Sequence, residues 1–142
     1  MKLLSLITGA VLATASVTAP SVTPPSPSAI VGTWVTADKQ GKVQIYAQQN
    51  RFFGKIFGVA TNRPAAKSTH GGAHQPPAVG RVVLQDFRYD GDGAWVDGSV
   101  YDPHTDKTYS CVIRLPQPNR LEVRGYLGFS LLGRTEVWTR VP

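Results

Sequence analysis

Residues 121–140, LEVRGYLGFSLLGRTEVWTR, give the clearest indication of how this chain folds. The stretch is too short for two helices, and its apolar residues do not follow the period of one. Alternating residues on either side of a glycine-bounded segment instead predict two strands joined by a turn. A second short motif, Gly32-Thr33-Trp34, lies near the front of the chain. Together the two stretches suggest a small closed β-barrel.

The composition and the spacing of turn residues extend this prediction to the rest of the chain. The 142 residues allow one domain of ordinary size, and fourteen glycines and eleven prolines favour turn-rich all-β structure over helix. Because nearly all connections are of hairpin length, an eight-stranded antiparallel up-and-down barrel is favoured over a two-sheet sandwich. The predicted strands are residues 30–36, 42–48, 51–60, 78–87, 94–101, 107–115, 120–127 and 134–141.

The first residues have the pattern of an export signal. A positive start at Lys2 is followed by a mostly apolar run over residues 3–15, which ends in the small-x-small sequence Ala-Thr-Ala. The run is too short to cross roughly 30 Å of hydrocarbon, so a cleaved signal is favoured over a membrane anchor. We therefore expect a cleavable signal peptide at 1–19, a Pro/Ser-rich linker at 20–29 and the barrel domain at 30–142. The mature protein is expected in the periplasm or outside the cell.

The cysteine count and the charge limit the kinds of partner. Cys111 is the only cysteine, so no disulfide can form within the chain, and its strand-like surroundings favour a buried thiol over a reactive one. The formal net charge of +6 suits attraction to anionic surfaces or ligands. The basic residues form no run, however, and no nucleic-acid-binding motif is present. We expect no nucleic-acid partner and no transmembrane span.

Several motifs resemble those of known families. The Gly32-x-Trp34 motif resembles the lipocalin signature, in which an arginine near the end of the last strand packs across the tryptophan, and Arg140 is placed to do so. The sequences WVDGSVYDP at 95–103 and KTY at 107–109, with VRGY and GRTEVWTR nearer the end, resemble the exported bacterial family of unknown function numbered 2147. The resemblance covers the chain from about residue 30 onward. It implies a lipocalin-like barrel and export, and it implies no activity.

Two segments contain residues that could support chemistry. His70 and His74 have a spacing that aligns imidazoles on a helix, but the two glycines between them argue against a helix, so we expect an exposed loop and no metal site. Residues 101–106, YDPHTD, could supply an acid–base pair, although turn chemistry is favoured. Because no catalytic or cofactor motif is present, an enzyme has no positive support and no cofactor is expected.

The leading hypothesis is an exported, non-enzymatic barrel that binds a small hydrophobic or amphipathic ligand. Arg124 could orient an anionic ligand if it faced inward, although an outward orientation is favoured because Leu121 and Val123 would claim the interior. Alternation alone leaves the inner face undecided, since both faces carry large apolar groups. The alternative is an envelope protein-interaction module with a filled barrel and no ligand. The candidate ligand-binding residues are Tyr46, Trp95, Tyr101, Arg124 and Tyr126.

Overall fold

Eight antiparallel strands form a closed barrel in the computed structural model, which describes residues 9–59, 79–103, 105–126 and 133–142. Each strand pairs with its neighbours in the sequence, and the last strand pairs with the first. This confirms the predicted eight-stranded up-and-down barrel, and every strand overlaps its predicted segment. The strands are β1 Gly32–Val35, β2 Gly41–Gln48, β3 Arg51–Val59, β4 Val82–Tyr89, β5 Ala94–Asp102, β6 Lys107–Gln117, β7 Arg120–Tyr126 and β8 Arg134–Arg140.

The core lies inside the barrel, where alternate residues of each strand meet. In β2, Val43 and Ile45 are buried, whereas Lys42 and Tyr46 on the other face are not. The same alternation in the other strands brings aromatic and branched aliphatic side chains into one cluster. Its buried members are Ile30, Trp34, Val43, Ile45, Phe52, Ile56, Val83, Leu84, Phe87, Trp95, Cys111, Ile113, Leu121, Val123 and Trp138.

Two aspartates interrupt the alternation of β4 and β5. Asp86 and Asp97 have φ angles of 59° and 62°, in the left-handed region that aspartate tolerates better than most residues. In β5, Trp95 and Gly98 both face the interior although they are three residues apart, since they pair with buried residues of β6. Phe87 uses the space beside Gly98, where an added Cβ would lie 2.5 Å from the ring. The middle of the barrel is therefore filled by its own side chains.

The barrel closes where β1 meets β8. Trp34 pairs with Arg140, and Val35 pairs with Thr139. The Arg140 guanidinium lies over the Trp34 ring, with Cζ 4.2 Å from the ring centroid, which confirms the packing that the sequence predicted. The same guanidinium donates hydrogen bonds to the carbonyls of Ala29, Val31 and Pro118.

The chain ahead of β1 covers one end of the barrel. Residues 25–30, here called the plug, include the 3₁₀ helix Pro27–Ile30. The Tyr89 hydroxyl and the Trp95 indole donate to the carbonyls of Pro25 and Pro27, and the Trp34 indole donates to that of Ile30. The last part of the predicted linker is thus held against the barrel. No helix in the described ranges is both long and apolar enough to cross a bilayer.

Candidate functional site

The two ends of the barrel differ in how deeply the inward-facing residues are buried. At the plug end, Trp34 and Trp95 are fully buried. At the opposite end, residues of β5 to β8 that share the inner face by strand register are only partly buried, whereas Ile56 and Val83 on β3 and β4 are buried. We call this set the inner-end residues. They are Val100 and Tyr109, which pair with each other, Gly125, which pairs with Cys111, and Glu136, which pairs with Val123.

Glu136 places a carboxylate on the inner face beside the apolar core. It lies two residues before Trp138 on β8, so the two side chains point the same way, and the Trp138 indole Nε1 lies 3.4 Å from Oε2 of Glu136, to which it donates. Arg134 lies further along the same face, with Nη2 3.9 Å from Oε1. The Glu136 side chain remains 40% exposed. It can therefore accept a further hydrogen bond from a molecule that enters this end.

Tyr109 and Gly125 form the wall of the inner end that adjoins Glu136. A Cβ added at Gly125 would lie at van der Waals distance from Val100, 3.4 Å, and from Tyr109, 3.6 Å, so the three residues border the same space. The Tyr109 hydroxyl lies 3.2 Å from the Thr105 hydroxyl in the β5–β6 connection. This wall thus presents an aliphatic side chain and a phenol to the interior.

Two of the predicted ligand-binding residues, Trp95 and Tyr46, lie far from the inner end. Trp95 belongs to the core at the plug end, where its ring centroid is 5.1 Å from that of Tyr89 and 6.3 Å from that of Phe52. Tyr46 lies on the outer face of β2, stacks on Phe53 at 5.8 Å between centroids, and has the Lys55 ammonium 5.6 Å from its ring centre. Trp95 therefore stabilises the plug, and Tyr46 belongs to the surface.

Tyr101, at the start of the YDPHTD segment, is partly buried and packs against the edge of the core. The Arg81 guanidinium carbon is 3.9 Å from its ring centroid, and its hydroxyl donates a 2.6 Å hydrogen bond to Asp106. Because the Asp106 carboxylate stabilises the protonated phenol, this bond raises the pKa of Tyr101. The Thr105 hydroxyl donates to Asp102. These contacts belong to a turn, and His104 lies outside the described residues.

Arg124 and Tyr126 share an outer pocket of about 270 Å³ on the sheet formed by β6, β7 and β8. Arg124 Nη1 lies 3.3 Å from the Thr135 hydroxyl, to which it donates. Arg124 faces outward, as the sequence favoured. The structure therefore brings together two of the five predicted residues, and it does so outside the barrel. The pocket is lined by Val112, Arg114, Glu122, Arg124, Tyr126 and Thr135.

Cys111 offers no reactive thiol, and all three histidines lie outside the residues that the structure describes. Cys111 is fully buried, and burial raises the pKa of its thiol to about 12, so the thiolate is not available near neutral pH. Within ranges 9–59, 79–103, 105–126 and 133–142, no three acidic, histidine or cysteine side chains cluster as metal ligands. The predictions for His70 and His74 fall outside those ranges.

Glu136 was not among the residues predicted from the sequence. The available signal was its spacing of two from Trp138, which puts both on one face of a strand. That spacing is informative only when Trp138 is known to face inward. Thr135 and Val137, on the other face of β8, are compatible with an inward or an outward Trp138. Pairing with buried Val123 decides the orientation.

Comparison with known proteins agrees with this architecture. A solved structure described as "Protein HP1028 from the human pathogen Helicobacter pylori belongs to the lipocalin family" superimposes with a TM-score of 0.60 at 20% identity. The match covers 80% of this chain and 83% of that chain, and it shows a shared lipocalin-like fold. No curated protein matches the chain significantly. The profile described as "Uncharacterized protein conserved in bacteria (DUF2147)" matches residues 32–140, and the chain belongs to that family.

Proposed function

We propose that the protein is an exported, non-enzymatic carrier that binds a small, partly apolar molecule at the inner end of its barrel. One observation carries the proposal. The inner-end residues face the barrel axis yet stay partly exposed, whereas the interior toward the plug is fully buried. A concave, mostly apolar surface with a few polar groups is the usual form of a small-molecule site, and a lipocalin-like barrel is suited to hold one.

The inner-end residues also indicate which chemistry the ligand has. Val100 and the Tyr109 ring would bury its apolar part, at roughly 25 cal/mol per Å² of apolar surface removed from water. Glu136 would accept a hydrogen bond from its polar part. Arg124, which could have met an anionic ligand group, lies outside the barrel, and Arg134 on the inner face already faces the Glu136 carboxylate. We therefore propose a ligand with an N–H, hydroxyl or cationic group next to its apolar portion.

The solvent exposure of the apolar N-terminal segment supports export. Val11, Leu12 and Val17 are 93%, 85% and 92% exposed, and the barrel is complete without them. An exposed apolar run that contributes nothing to the core is consistent with a segment removed after export. The ligand would then be met in the periplasm or outside the cell.

The alternative is an envelope protein-interaction module with a filled barrel, and the packing of the middle of the barrel favours it. A Cβ at Gly54 would lie 2.8 Å from Leu84, and one at Gly98 would lie 2.5 Å from Phe87. These contacts show that the core is closely packed around both glycines. The carrier would therefore hold its ligand at the inner end.

Binding of the fluorophore N-phenyl-1-naphthylamine, an apolar molecule with one N–H donor, tests the proposal. The Val100→Trp variant should lose binding because the larger side chain occupies the inner end, while Glu136→Gln should weaken it. Val112→Trp is the matched control, since Val112 lines the outer pocket. Thermal melting of each variant confirms folding.

Mass spectrometry of gently purified protein provides an independent measurement. A co-purified small molecule that is lost from the Val100→Trp variant would support the carrier. No bound fluorophore and no co-purified molecule would favour the filled interaction module. Loss of binding in Val112→Trp alone would move the site to the outer pocket.

A further inference from the structure

The whole net positive charge of the protein comes from one part of the chain. Residues 39–85 contain seven of the fifteen lysines and arginines and none of the nine acidic residues. The remainder of the chain therefore has slightly more acidic than basic residues. The nearest acidic residues in the sequence are Asp38 and Asp86, which bracket this stretch. Because the basic residues are not adjacent in the sequence, this asymmetry does not show as a run of positive charge.

The fold gathers part of this stretch into one surface at the end of the barrel away from the plug. Lys42 lies on the outer face of β2 and pairs with Gly58, directly after Phe57 on β3. Lys55 lies on the outer face of β3, opposite Gln44. The Lys42 side chain therefore borders the end of β3, whereas the Lys55 ammonium lies over the Tyr46 ring further along the same outer face.

Exposed apolar side chains lie at the same place. Phe57, Val59 and Val79 are 54%, 41% and 63% exposed. Phe57 is the extra residue of a β-bulge, since Val43 pairs with Ile56 whereas Lys42 pairs with Gly58. Val79 lies close to this end of β3 because the amide of the next residue, Gly80, donates to the Ile56 carbonyl. We call this surface the cationic rim and define it as Lys42, Lys55, Phe57, Val59 and Val79.

We propose that the cationic rim docks the protein onto an anionic phospholipid surface. The lysines would lie among the lipid phosphates, each contributing through attraction to the negative surface potential. Phe57 and the two valines would enter the boundary between headgroups and acyl chains. A soluble polyanion would use the lysines but would leave the apolar side chains in water, so the combination favours a membrane. This inference goes beyond the proposed function and does not depend on it.

Vesicle co-sedimentation with the full chain tests the proposal. Wild type should bind vesicles of 70% phosphatidylcholine and 30% phosphatidylglycerol more tightly than vesicles of phosphatidylcholine alone. The Lys42→Gln/Lys55→Gln variant should bind the anionic vesicles about thirtyfold more weakly, from about one tenfold step per 1.4 kcal/mol and about 1 kcal/mol per basic residue. Arg114→Gln/Arg120→Gln removes the same charge from the plug-end parts of β6 and β7 and should change binding by less than about threefold.

Insertion of the apolar side chains has its own measurement. Trp34, Trp95 and Trp138 are buried, so their emission should not respond to vesicles. The Phe57→Trp variant should therefore show a blue shift that appears only with anionic vesicles. Because every variant keeps the same N-terminal segment, differences among them report on the barrel.

Three results would overturn the proposal. One is equal weakening in both double variants, which would indicate a general charge effect. Another is binding that does not distinguish anionic from neutral vesicles. The third is binding of polyphosphate without binding of anionic vesicles, which would assign the rim to a soluble polyanion. None of these results would bear on the proposed ligand binding at the inner end.

Discussion

The guanidinium of Arg140 covers the ring of Trp34 and, through the same group, holds the carbonyls of Ala29, Val31 and Pro118. One side chain therefore joins the first strand, the last strand, the plug and the β6–β7 turn. A planar guanidinium can do this because its N–H groups diverge in a plane while its face stays on the indole.

Arg140→Ala should lower the free energy of unfolding by about 2–4 kcal/mol, since it removes the ring contact and the three hydrogen bonds. The unfolding free energy of Arg140→Lys should lie between those of wild type and Arg140→Ala, because an ammonium keeps the charge but loses the planar set of donors. Urea denaturation measures both. Arg120→Ala, at an exposed position on β7, should change stability by less than about 0.5 kcal/mol. An equal loss in both alanine variants would contradict the role given to Arg140.

Gly98→Ala should destabilise the barrel by about 1–3 kcal/mol, because the new methyl group would meet the Phe87 ring. Adding Phe87→Leu should recover part of the loss, which a double-mutant cycle measures. Gly58→Ala is the matched control, since the nearest atom to its added Cβ is the Lys42 Cδ at 3.9 Å. Simple additivity of the Gly98 and Phe87 effects would show that the two sites do not meet.

Tyr89→Phe should loosen the plug by removing its hydrogen bond to the Pro25 carbonyl, at a cost of about 1 kcal/mol. Limited proteolysis followed by intact-mass measurement should show faster cleavage within residues 25–30. Tyr126→Phe, which removes a hydroxyl from the outer pocket, should leave the cleavage rate unchanged. Identical cleavage in wild type and Tyr89→Phe would mean that the other plug contacts are sufficient.

Stability should decline at alkaline pH through Cys111. In the unfolded chain the thiol ionises near its ordinary pKa of 9.0, whereas burial raises the folded pKa to about 12. The folded state thus keeps a proton that the unfolded state loses, and this stability is present below pH 9 and is lost as the pH rises toward 12. Between pH 7 and 10.5, wild type should lose about 2 kcal/mol more than Cys111→Ala. Parallel pH profiles of the two proteins would contradict this prediction.

The strands and the closing contact could be predicted because their signals are local or depend on a motif. Asp-Gly and proline turns mark the strand ends, and Gly32-x-Trp34 with Arg140 identifies the two strands that meet. These features hold whichever face of a strand points inward. The fold could therefore be predicted without knowing the orientation of any one side chain.

The candidate site could not be predicted because the orientation of its residues depends on irregularities within the strands. Trp95 and Tyr101 lie six positions apart in the sequence, so they should share a face in a regular strand. The left-handed Asp97 lies between them and interrupts the alternation, so Trp95 is fully buried whereas Tyr101 is only partly buried at the edge of the core. Asp97-Gly98 is a weak local signal for such an irregularity. The buried partners across β6 are what establish it.

The pairing of β1 with β8 also determines when the protein can fold. The contact between Arg140 and the Val31 carbonyl spans 109 positions of sequence, so the barrel cannot close until residue 140 has been synthesised. Before then, β1 and the most recently made strand present unpaired edges that favour association with other chains. If the protein is exported as we propose, this delay keeps the nascent chain open enough to pass through a translocation channel. Its connectivity would then postpone folding until the chain reaches its destination.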